Sequence, residues 1–149
     1  MSKNSVEKNY TEKYPKIMVF GTFDGLHEGH LNLFKQIKKL SKNPFIVVSI
    51  ARDKNVFRIK GKYPKLNEKH RVNLLLDSKI ADKVVFSGLK NHIPHIVKER
   101  PDIIALGYDQ KAYVKNLRKD LKERGLLVKI IRLKPYKEKI YKNSLLRKN

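Results

Sequence analysis

The hydrophobic positions of the chain fall into short apolar runs that alternate with stretches of helical periodicity. The runs predict five strands, over residues 17–21, 45–51, 83–86, 102–106 and 126–133. The second run (FIVVSIA) is almost continuously apolar and rich in β-branched residues, as is typical of a strand covered on both faces of its sheet. The pattern therefore predicts a sheet that is largely buried.

Between these runs, apolar residues recur at the spacing of a helix. Leu33, Phe34 and Ile37, for example, share one helical face. Helices are expected over residues 31–40, 67–77, 93–100 and 110–124, with a short one beginning at Asn143. Gly125 would close the fourth of these helices. The alternation predicts an α/β fold, a Rossmann-like, doubly wound, parallel five-stranded sheet with right-handed crossovers.

Composition is compatible with one domain and excludes several kinds of chemistry. The chain has 149 residues, of which 40% are hydrophobic, enough to form a core. Residues 1–15 are polar and predict a flexible N-terminal arm, which leaves residues 16–149 as the domain. The absence of Cys excludes disulfides, thiolate catalysis and Cys-ligated metals. No apolar stretch is long enough for a membrane span or a signal peptide, so a soluble, cytoplasmic protein is expected.

The balance of charge is strongly basic. Lys and Arg number 35 against 14 Asp and Glu, a formal net charge of +21. Such a surface attracts polyanions, but charge alone does not distinguish nucleic acid from phosphorylated small molecules. The lysines are spread along the chain and no aromatic stacking platform is evident, so nucleic acid is the less favoured partner.

Unusual residues follow the predicted strands at the edge where parallel sheets bind ligands. The segment GTFDGLHEGH, residues 21–30, follows the first strand, and Arg52-Asp53-Lys54 follows the second. A loop carrying Lys60-Gly61-Lys62 is expected before the next helix. GYDQ follows the fourth strand and KPYK the last. Glycines, histidines, cations and carboxylates thus converge on one edge and predict a binding site.

The first of these segments is the most informative. Its glycines allow a sharp turn, and His27 and His30 are three residues apart at a helix start, so both rings can face one point. A helix N-terminus also favours an anion, and together these features predict a cradle for a polyphosphate. A zinc site is less favoured because further ligands would have to come from Asp24 or Asp109. By contrast, His92 and His95 are interpreted as ordinary surface histidines, since Pro94 interrupts their spacing.

The segment resembles the signature of the cytidylyltransferase-like nucleotidyltransferases. The pattern G-x-F-D-x-x-H-x-G-H is matched at Gly21, Phe23, Asp24, His27, Gly29 and His30. A second block, with Ala51-Arg52-Asp53, Lys60-Gly61-Lys62, Glu68 and Arg71, is similar to the cytidylyltransferase and archaeal FAD synthase branch. The LGYDQ segment, residues 106–110, is similar to an element of archaeal-type FAD synthases. The usual Ser/Thr-rich final element is represented only by residues 143–147 (NSLLR).

The resemblance implies transfer of AMP from ATP to FMN, forming FAD and pyrophosphate, with a divalent cation, most simply Mg²⁺. It implies a catalytic role for four side chains, His27, His30, Lys60 and Lys62. The nucleotide would contact Gly21, Thr22, Phe23, Asp24, His27, Glu28, Gly29, His30, Asp109, Tyr136, Ser144 and Arg147. The acceptor would contact Arg52, Asp53 and Arg71, and the carboxylate of Asp24 would orient the metal or a neighbouring backbone segment.

Several alternatives remain open from the sequence. Within the same superfamily, the chain could be a cytidylyltransferase for a small phosphate such as glycerol 3-phosphate, or a phosphopantetheine adenylyltransferase. From a different class, it could be a basic nucleic-acid-binding module built on a nucleotide-binding fold. A homodimer is an expectation from the resemblance only.

Overall fold

The computed structural model describes residues 14–88, 92–108, 110 and 116–136. Five strands and five helices lie within them. The strands are β1 (Lys16–Gly21), β2 (Phe45–Ile50), β3 (Lys83–Phe86), β4 (Ile103–Leu106) and β5 (Lys129–Arg132). The helices are α1 (Glu28–Lys38), α2 (Asp53–Lys60), α3 (Glu68–Asp77), α4 (Ile93–Glu99) and α5 (Leu117–Glu123).

The five strands form one parallel sheet in the order β3-β2-β1-β4-β5. β1 is the central strand, and its Val19 is in register with Val48 of β2 on one side and Ala105 of β4 on the other. The strand order reverses between β1 and β4. In sheets of this kind the crevice beyond the carboxyl ends of the strands at that reversal is where ligands bind.

Helices cover both faces of the sheet, which confirms the doubly wound architecture. Because side chains alternate along a strand, Ile17 and Val19 of β1 enter one buried cluster, and Met18 and Phe20 enter the other. α1 and α3 contribute apolar residues to the first cluster, whereas α4 and α5 contribute to the second. Among the described residues, no helix has both the length and the apolar character needed to cross a bilayer.

The predicted strands are all present, with ends shifted by a few residues, but two helical predictions were wrong. No helix was predicted between β2 and residue 67, where only a loop carrying Lys60-Gly61-Lys62 was expected, yet Asp53–Lys60 forms α2. The long helix expected over 110–124 includes Gln110, which is not helical, and the described helix at its end is only Leu117–Glu123. Gly125 follows that helix with φ +81°, the left-handed geometry expected of a closing glycine.

The polar N-terminal segment is joined to the sheet before β1 begins. The backbone N–H of Phe45 donates to the carbonyl of Pro15 at 2.8 Å. Residues 1–13, which make up most of the predicted arm, lie outside the described residues, as does the short helix expected from Asn143.

Candidate active site

A tight loop leaves β1 and forms the floor of the site. A Cβ at Gly21 would lie 2.7 Å from Cε2 of Phe23, so only glycine permits the ring to fold back over the strand end. Phe23 itself has φ +52°, is 4% exposed and packs on Phe34 at 5.5 Å between ring centroids. Buried packing therefore holds a backbone conformation that costs energy for a residue other than glycine. The aromatic ring therefore anchors the loop to the hydrophobic core.

His27 and His30 cap the helix that follows this loop. The backbone N–H of Gly29 donates to Nδ1 of His27 at 3.0 Å, and the N–H of His30 donates to the same atom at 3.4 Å. In return, Nδ1 of His30 accepts from the N–H of His27 at 3.4 Å. The two rings stack with centroids 3.8 Å apart and planes 20° apart. The two imidazoles, three residues apart in the sequence, therefore lie against each other at the start of α1.

This capping arrangement determines which nitrogen of each ring can donate a hydrogen bond to a ligand. Nδ1 accepts a hydrogen bond from the backbone in both histidines, so it carries no proton in this arrangement. A neutral imidazole then has its proton on Nε2. Each ring consequently presents an N–H donor on the side away from the helix cap, which is the group that a phosphate oxygen needs.

A cavity of about 780 Å³ lies above the strand ends, lined by residues from both sides of β1. Most of the predicted nucleotide-binding and catalytic residues line it together: Gly21, Thr22, Phe23, Asp24, His27, Gly29, His30, Lys60, Lys62 and Tyr136. Lys65 and Lys134 add two further cations. The cavity is therefore shaped and charged for a polyphosphate beside the helix N-terminus.

The side of the cavity next to β4 and β5 is held by two glutamines that sequence analysis did not single out for this role. Gln110 donates from Nε2 to the carbonyl of Phe20 and accepts the N–H of Gly107 at Oε1, both at 2.8 Å. Gln36 similarly exchanges two hydrogen bonds of 2.9 Å with the backbone of Lys134. These amides fix the segments after β4 and β5 relative to β1 and α1. No local pattern signals such contacts, because their partners lie up to 98 residues away.

Asp24 connects the loop after β1 to the segment between α2 and α3. Its two carboxylate oxygens accept the backbone N–H groups of Lys65 and Leu66, each at 2.7 Å. Burial raises the pKa of Asp24. These two hydrogen bonds and the charges of Arg71 and Lys65 lower the pKa by more than burial raises it, so the pKa lies below its ordinary value. Orientation of a neighbouring backbone segment, one of the two expected roles, is what the structure shows.

Arg71 lies beneath the site instead of in contact with a ligand. Its guanidinium is fully buried and donates to the backbone carbonyls of Thr22 and Ala51, at 2.9 and 2.7 Å, and to Asp53 at 2.7 Å. Its Nε donates to the carbonyl of Leu66. The expected contact between Arg71 and the acceptor is therefore corrected: the side chain joins three loops from below, and burial keeps it from a ligand.

Asp53 is also occupied by a structural arrangement. Its Oδ2 accepts the backbone N–H of Glu68 at 3.1 Å, while Oε1 of Glu68 accepts the N–H of Asp53 at 3.0 Å. Each residue begins a helix, so the two carboxylates cap the N-termini of α2 and α3 reciprocally. Asp53 thus has a structural role beside the site. Its carboxylate is already bonded to Glu68 and Arg71, so the expected contact with the acceptor is not seen.

Arg52 and Glu28 lie outside the main cavity. The Arg52 guanidinium sits 4.2 Å from the ring centroid of Phe86, pairs with Glu68 at 3.3 Å and lines a separate cavity of about 500 Å³. Glu28 begins α1 and lies 3.4 Å from the hydroxyl of Tyr136. Three predicted nucleotide contacts, Asp109, Ser144 and Arg147, lie outside the described residues.

The second histidine pair corrects another expectation. His92 and His95 are half-buried, and both pack edge-on against Phe20, with centroids about 6 Å apart. Nε2 of His95 lies 3.0 Å from Oγ of Ser49, which in turn lies 2.8 Å from Oγ of Ser87. Burial, the nearby His92 charge and, in the opposite direction, Glu99 set the pKa of His95 at about 4. These are packed histidines and not surface ones.

The described residues do not supply a complete metal site of their own. No group of three or more His, Cys, Asp or Glu side chains within the described ranges is arranged to hold a metal ion. As far as the described part of the chain goes, a divalent cation in this cavity would take some of its ligands from the substrate.

Comparison with known proteins is consistent with this architecture. The chain matches the family described as Cytidylyltransferase-like over residues 18–148. It is 44% identical to a protein named FAD synthase from Korarchaeum cryptofilum, covering 79% of this chain and 80% of that one. It is 35% identical to one of the same name from Thermoplasma volcanium, covering 89% and 92%.

A solved structure has a similar fold. The crystal structure of a lipopolysaccharide core biosynthesis protein from Thermoplasma volcanium superposes with a TM-score of 0.73 at 35% identity, covering 82% of this chain and 98% of that one. The sequence signature, the strand order and the family match agree with one another. This chain belongs to the cytidylyltransferase-like family.

Proposed function

We propose that the protein is an FMN adenylyltransferase, which transfers AMP from ATP to FMN and releases pyrophosphate. The observation that carries the proposal is the stacked pair of His27 and His30, which lies at a helix N-terminus and lines a cavity together with Lys60 and Lys62. The similarity to several proteins named FAD synthase supports FMN as the acceptor.

The reaction needs positioning and charge stabilisation more than acid–base chemistry. An oxygen of the FMN phosphate attacks the α-phosphorus of ATP, a new P–O bond forms, and the bond to the β-phosphate oxygen breaks. The attacking phosphate is already ionised, so no proton has to be removed. His27 and His30 donate hydrogen bonds to oxygens that gain negative charge, and Lys60 and Lys62 stabilise the leaving pyrophosphate.

A divalent cation fits this site in a restricted way. Mg²⁺ commonly binds through one or two carboxylates together with substrate phosphates, and it keeps several waters. Asp24 lines the cavity and uses only two of about four acceptor positions on its carboxylate for backbone N–H groups. Asp24 would therefore hold the ion together with ATP, and the ion would neutralise phosphate charge.

Pyrophosphate release with a panel of substrates tests the proposal. The purified protein is incubated with ATP or CTP and with FMN, glycerol 3-phosphate or phosphopantetheine, and the products are separated by chromatography. We expect one FAD and one pyrophosphate per FMN consumed, with ATP as the preferred nucleotide. Faster turnover with CTP and glycerol 3-phosphate, or with phosphopantetheine, would show that one of these compounds, and not FMN, is the acceptor. No turnover with any pair, combined with salt-dependent polynucleotide binding, would contradict the proposal that the protein is a nucleotidyltransferase.

A further inference from the structure

Two exposed aromatic rings lie stacked on each other at the end of α2. The ring centroids of Phe57 and Tyr63 are 4.6 Å apart, with an angle of 27° between planes. Gly61, at φ +77°, ends α2 and turns the chain back so that residue 63 reaches residue 57. Hydrophobic contacts across a glycine-closed helix end are common, which accounts for the stack.

Closure of the helix does not account for the exposure of both rings. Phe57 is 46% exposed and Tyr63 is 62% exposed, and the neighbouring Ile59 is 73% exposed. A cluster of exposed apolar side chains on an otherwise charged surface marks a place where something binds. Sequence analysis found no aromatic stacking platform, because these two residues are six positions apart and become neighbours only through the turn at Gly61.

The aromatic pair is continuous with the cavity that holds the histidines. Tyr63 lines that cavity, as do Lys60 and Lys62 on either side of the turn. α2 follows β2, so this wall lies on the β2 side of the central strand β1. The wall formed by Tyr108 and Tyr136 comes from the segments after β4 and β5, on the other side of β1.

This layout gives the cavity two ends with the histidine pair between them. In-line transfer puts the attacking oxygen of the acceptor and the leaving pyrophosphate on opposite sides of the α-phosphorus. The body of the acceptor also needs a wall of the cavity that the nucleoside of ATP does not occupy. If the nucleoside of ATP occupies the end next to β4 and β5, as the resemblance implies for Tyr136, the acceptor body extends toward α2. The phosphate of the acceptor then lies beside the histidine pair, and the rest of the molecule extends along the α2 wall until its ring reaches Tyr63.

We infer that the isoalloxazine ring of the acceptor binds by stacking on the Phe57–Tyr63 pair. The inference rests on the proposed function, since it assigns FMN to this surface. A large planar heteroaromatic ring is stabilised by stacking on an exposed aromatic face. Acceptors without an aromatic ring, such as glycerol 3-phosphate, would leave the pair uncovered.

Truncation of the two rings tests the inference directly. FMN binding to Phe57→Ala and Tyr63→Ala is followed by quenching of flavin fluorescence, and KM is measured separately for FMN and ATP. Loss of one stacking ring commonly lowers the affinity for the stacked base by roughly 5- to 100-fold. We expect the Kd and KM for FMN to rise within that range. The KM for ATP should change less than about twofold, because the nucleotide lies at the other end.

A ring-less substrate separates stacking from general damage to the site. Ribitol 5-phosphate carries the phosphate and side chain of FMN without the isoalloxazine, so any turnover of it should be the same in wild type and variants. Tyr63→Phe should keep the affinity for FMN, since it keeps the ring. Phe57→Leu provides an aliphatic replacement if the alanine variant does not fold, and Leu127→Ala, at a residue 79% exposed, is the matched surface control.

The outcomes distinguish this inference from the proposed function. If wild-type protein makes FAD but both alanine variants bind FMN normally, the inference is wrong and the proposed function stands. A rise in KM for ATP instead of FMN would assign the platform to adenine and overturn the inference. A change in oligomeric state, or a loss of oligonucleotide binding with FMN affinity unchanged, would likewise assign the surface to another occupant. If wild type makes no FAD, the proposed function fails first.

Discussion

The two histidine pairs of this protein have the same spacing and the same position on a helix, yet they have different environments. His27 and His92 are each assigned as the residue before a helix begins, and His30 and His95 follow three positions later. The first pair stacks over an open cavity. The second pair is half-buried, with its rings against Phe20.

The residue two positions after the first histidine accounts for the difference. In the first pair it is Gly29, whose N–H donates to Nδ1 of His27 at 3.0 Å. In the second pair it is Pro94, which has no N–H to donate, and His92 makes no side-chain cap. His27 is held against its own helix with Nε2 on the far side. The spacing of histidines is thus not enough to define a site, because the backbone donors between them decide how the rings are held.

The largest effect that this comparison predicts is on catalysis at the first pair. His30→Ala should lower kcat by about 100-fold, which is typical of losing one preorganised donor to a charge that develops in the reaction. Its unfolding midpoint should change little, since the ring is not in the core. Steady-state pyrophosphate release measures the effect, and His70→Ala, at an exposed histidine on α3, is the control. A variant with activity close to wild type would remove His30 from the mechanism.

The second pair should show the opposite result. His95→Ala removes a ring packed on Phe20 and the hydrogen bond to Ser49, and we expect a loss of about 2 kcal/mol in the free energy of unfolding. The kcat at saturating substrate should stay within about threefold of wild type. Urea titration measures the first quantity and pyrophosphate release the second. A large loss of kcat with unchanged stability would make the two pairs functionally alike.

Much of the fold could be predicted because parallel strands covered on both faces are nearly continuous apolar runs. Helix α2 could not, since its sequence DKNVFRIK is polar and Val56 is its only buried apolar residue. Its N-terminus is capped by the carboxylate of Glu68, which is 15 residues away from Asp53. Stabilisation of that kind leaves no periodic signal in the local sequence.

The lining of the cavity could be predicted where a short segment contains both the turn and the polar side chains. The segment 21–30 has this property, and seven of its ten residues line the cavity: Gly21, Thr22, Phe23, Asp24, His27, Gly29 and His30. Arg71 was misassigned because a buried arginine becomes tolerable only when several acceptors from distant loops surround it. Those acceptors, the carbonyls of Thr22 and Ala51 and the carboxylate of Asp53, come together only after folding.

The pH dependence of stability should also distinguish the pairs. Burial lowers the pKa of His95 to about 4, so the folded state keeps this ring neutral while the unfolded chain takes up a proton below its ordinary pKa of about 6.5. A depressed histidine pKa means that stability is present above pH 6.5 and is lost as the pH falls toward 4. Between pH 6.5 and 5 we expect a loss on the order of 1–2 kcal/mol from this group.

His95→Gln is the variant that tests this titration. Glutamine can still bond to Ser49 but does not titrate, so the fall in stability between pH 6.5 and 5 should become shallower. Urea titrations at a series of pH values measure it, with His70→Gln as the control. The carboxyl groups of Asp24 and Glu99 also have lowered pKa values, but their contribution is lost only at lower pH, below the ordinary carboxyl range. An unchanged slope in His95→Gln would show that another group causes the dependence.

The smallest expected effect separates two roles of His27. Its Nδ1 caps α1, and in the proposed mechanism its Nε2 donates to a phosphate oxygen. Asparagine is a good capping residue, whereas alanine is not, so His27→Asn should be more stable than His27→Ala by roughly 0.5–1 kcal/mol. Neither replacement restores a donor at the position of Nε2, and both should therefore lose a similar share of kcat. Urea titration and pyrophosphate release on the two variants give both quantities. If asparagine restored activity together with stability, the capping of the helix, and not the imidazole donor, would be what the reaction requires.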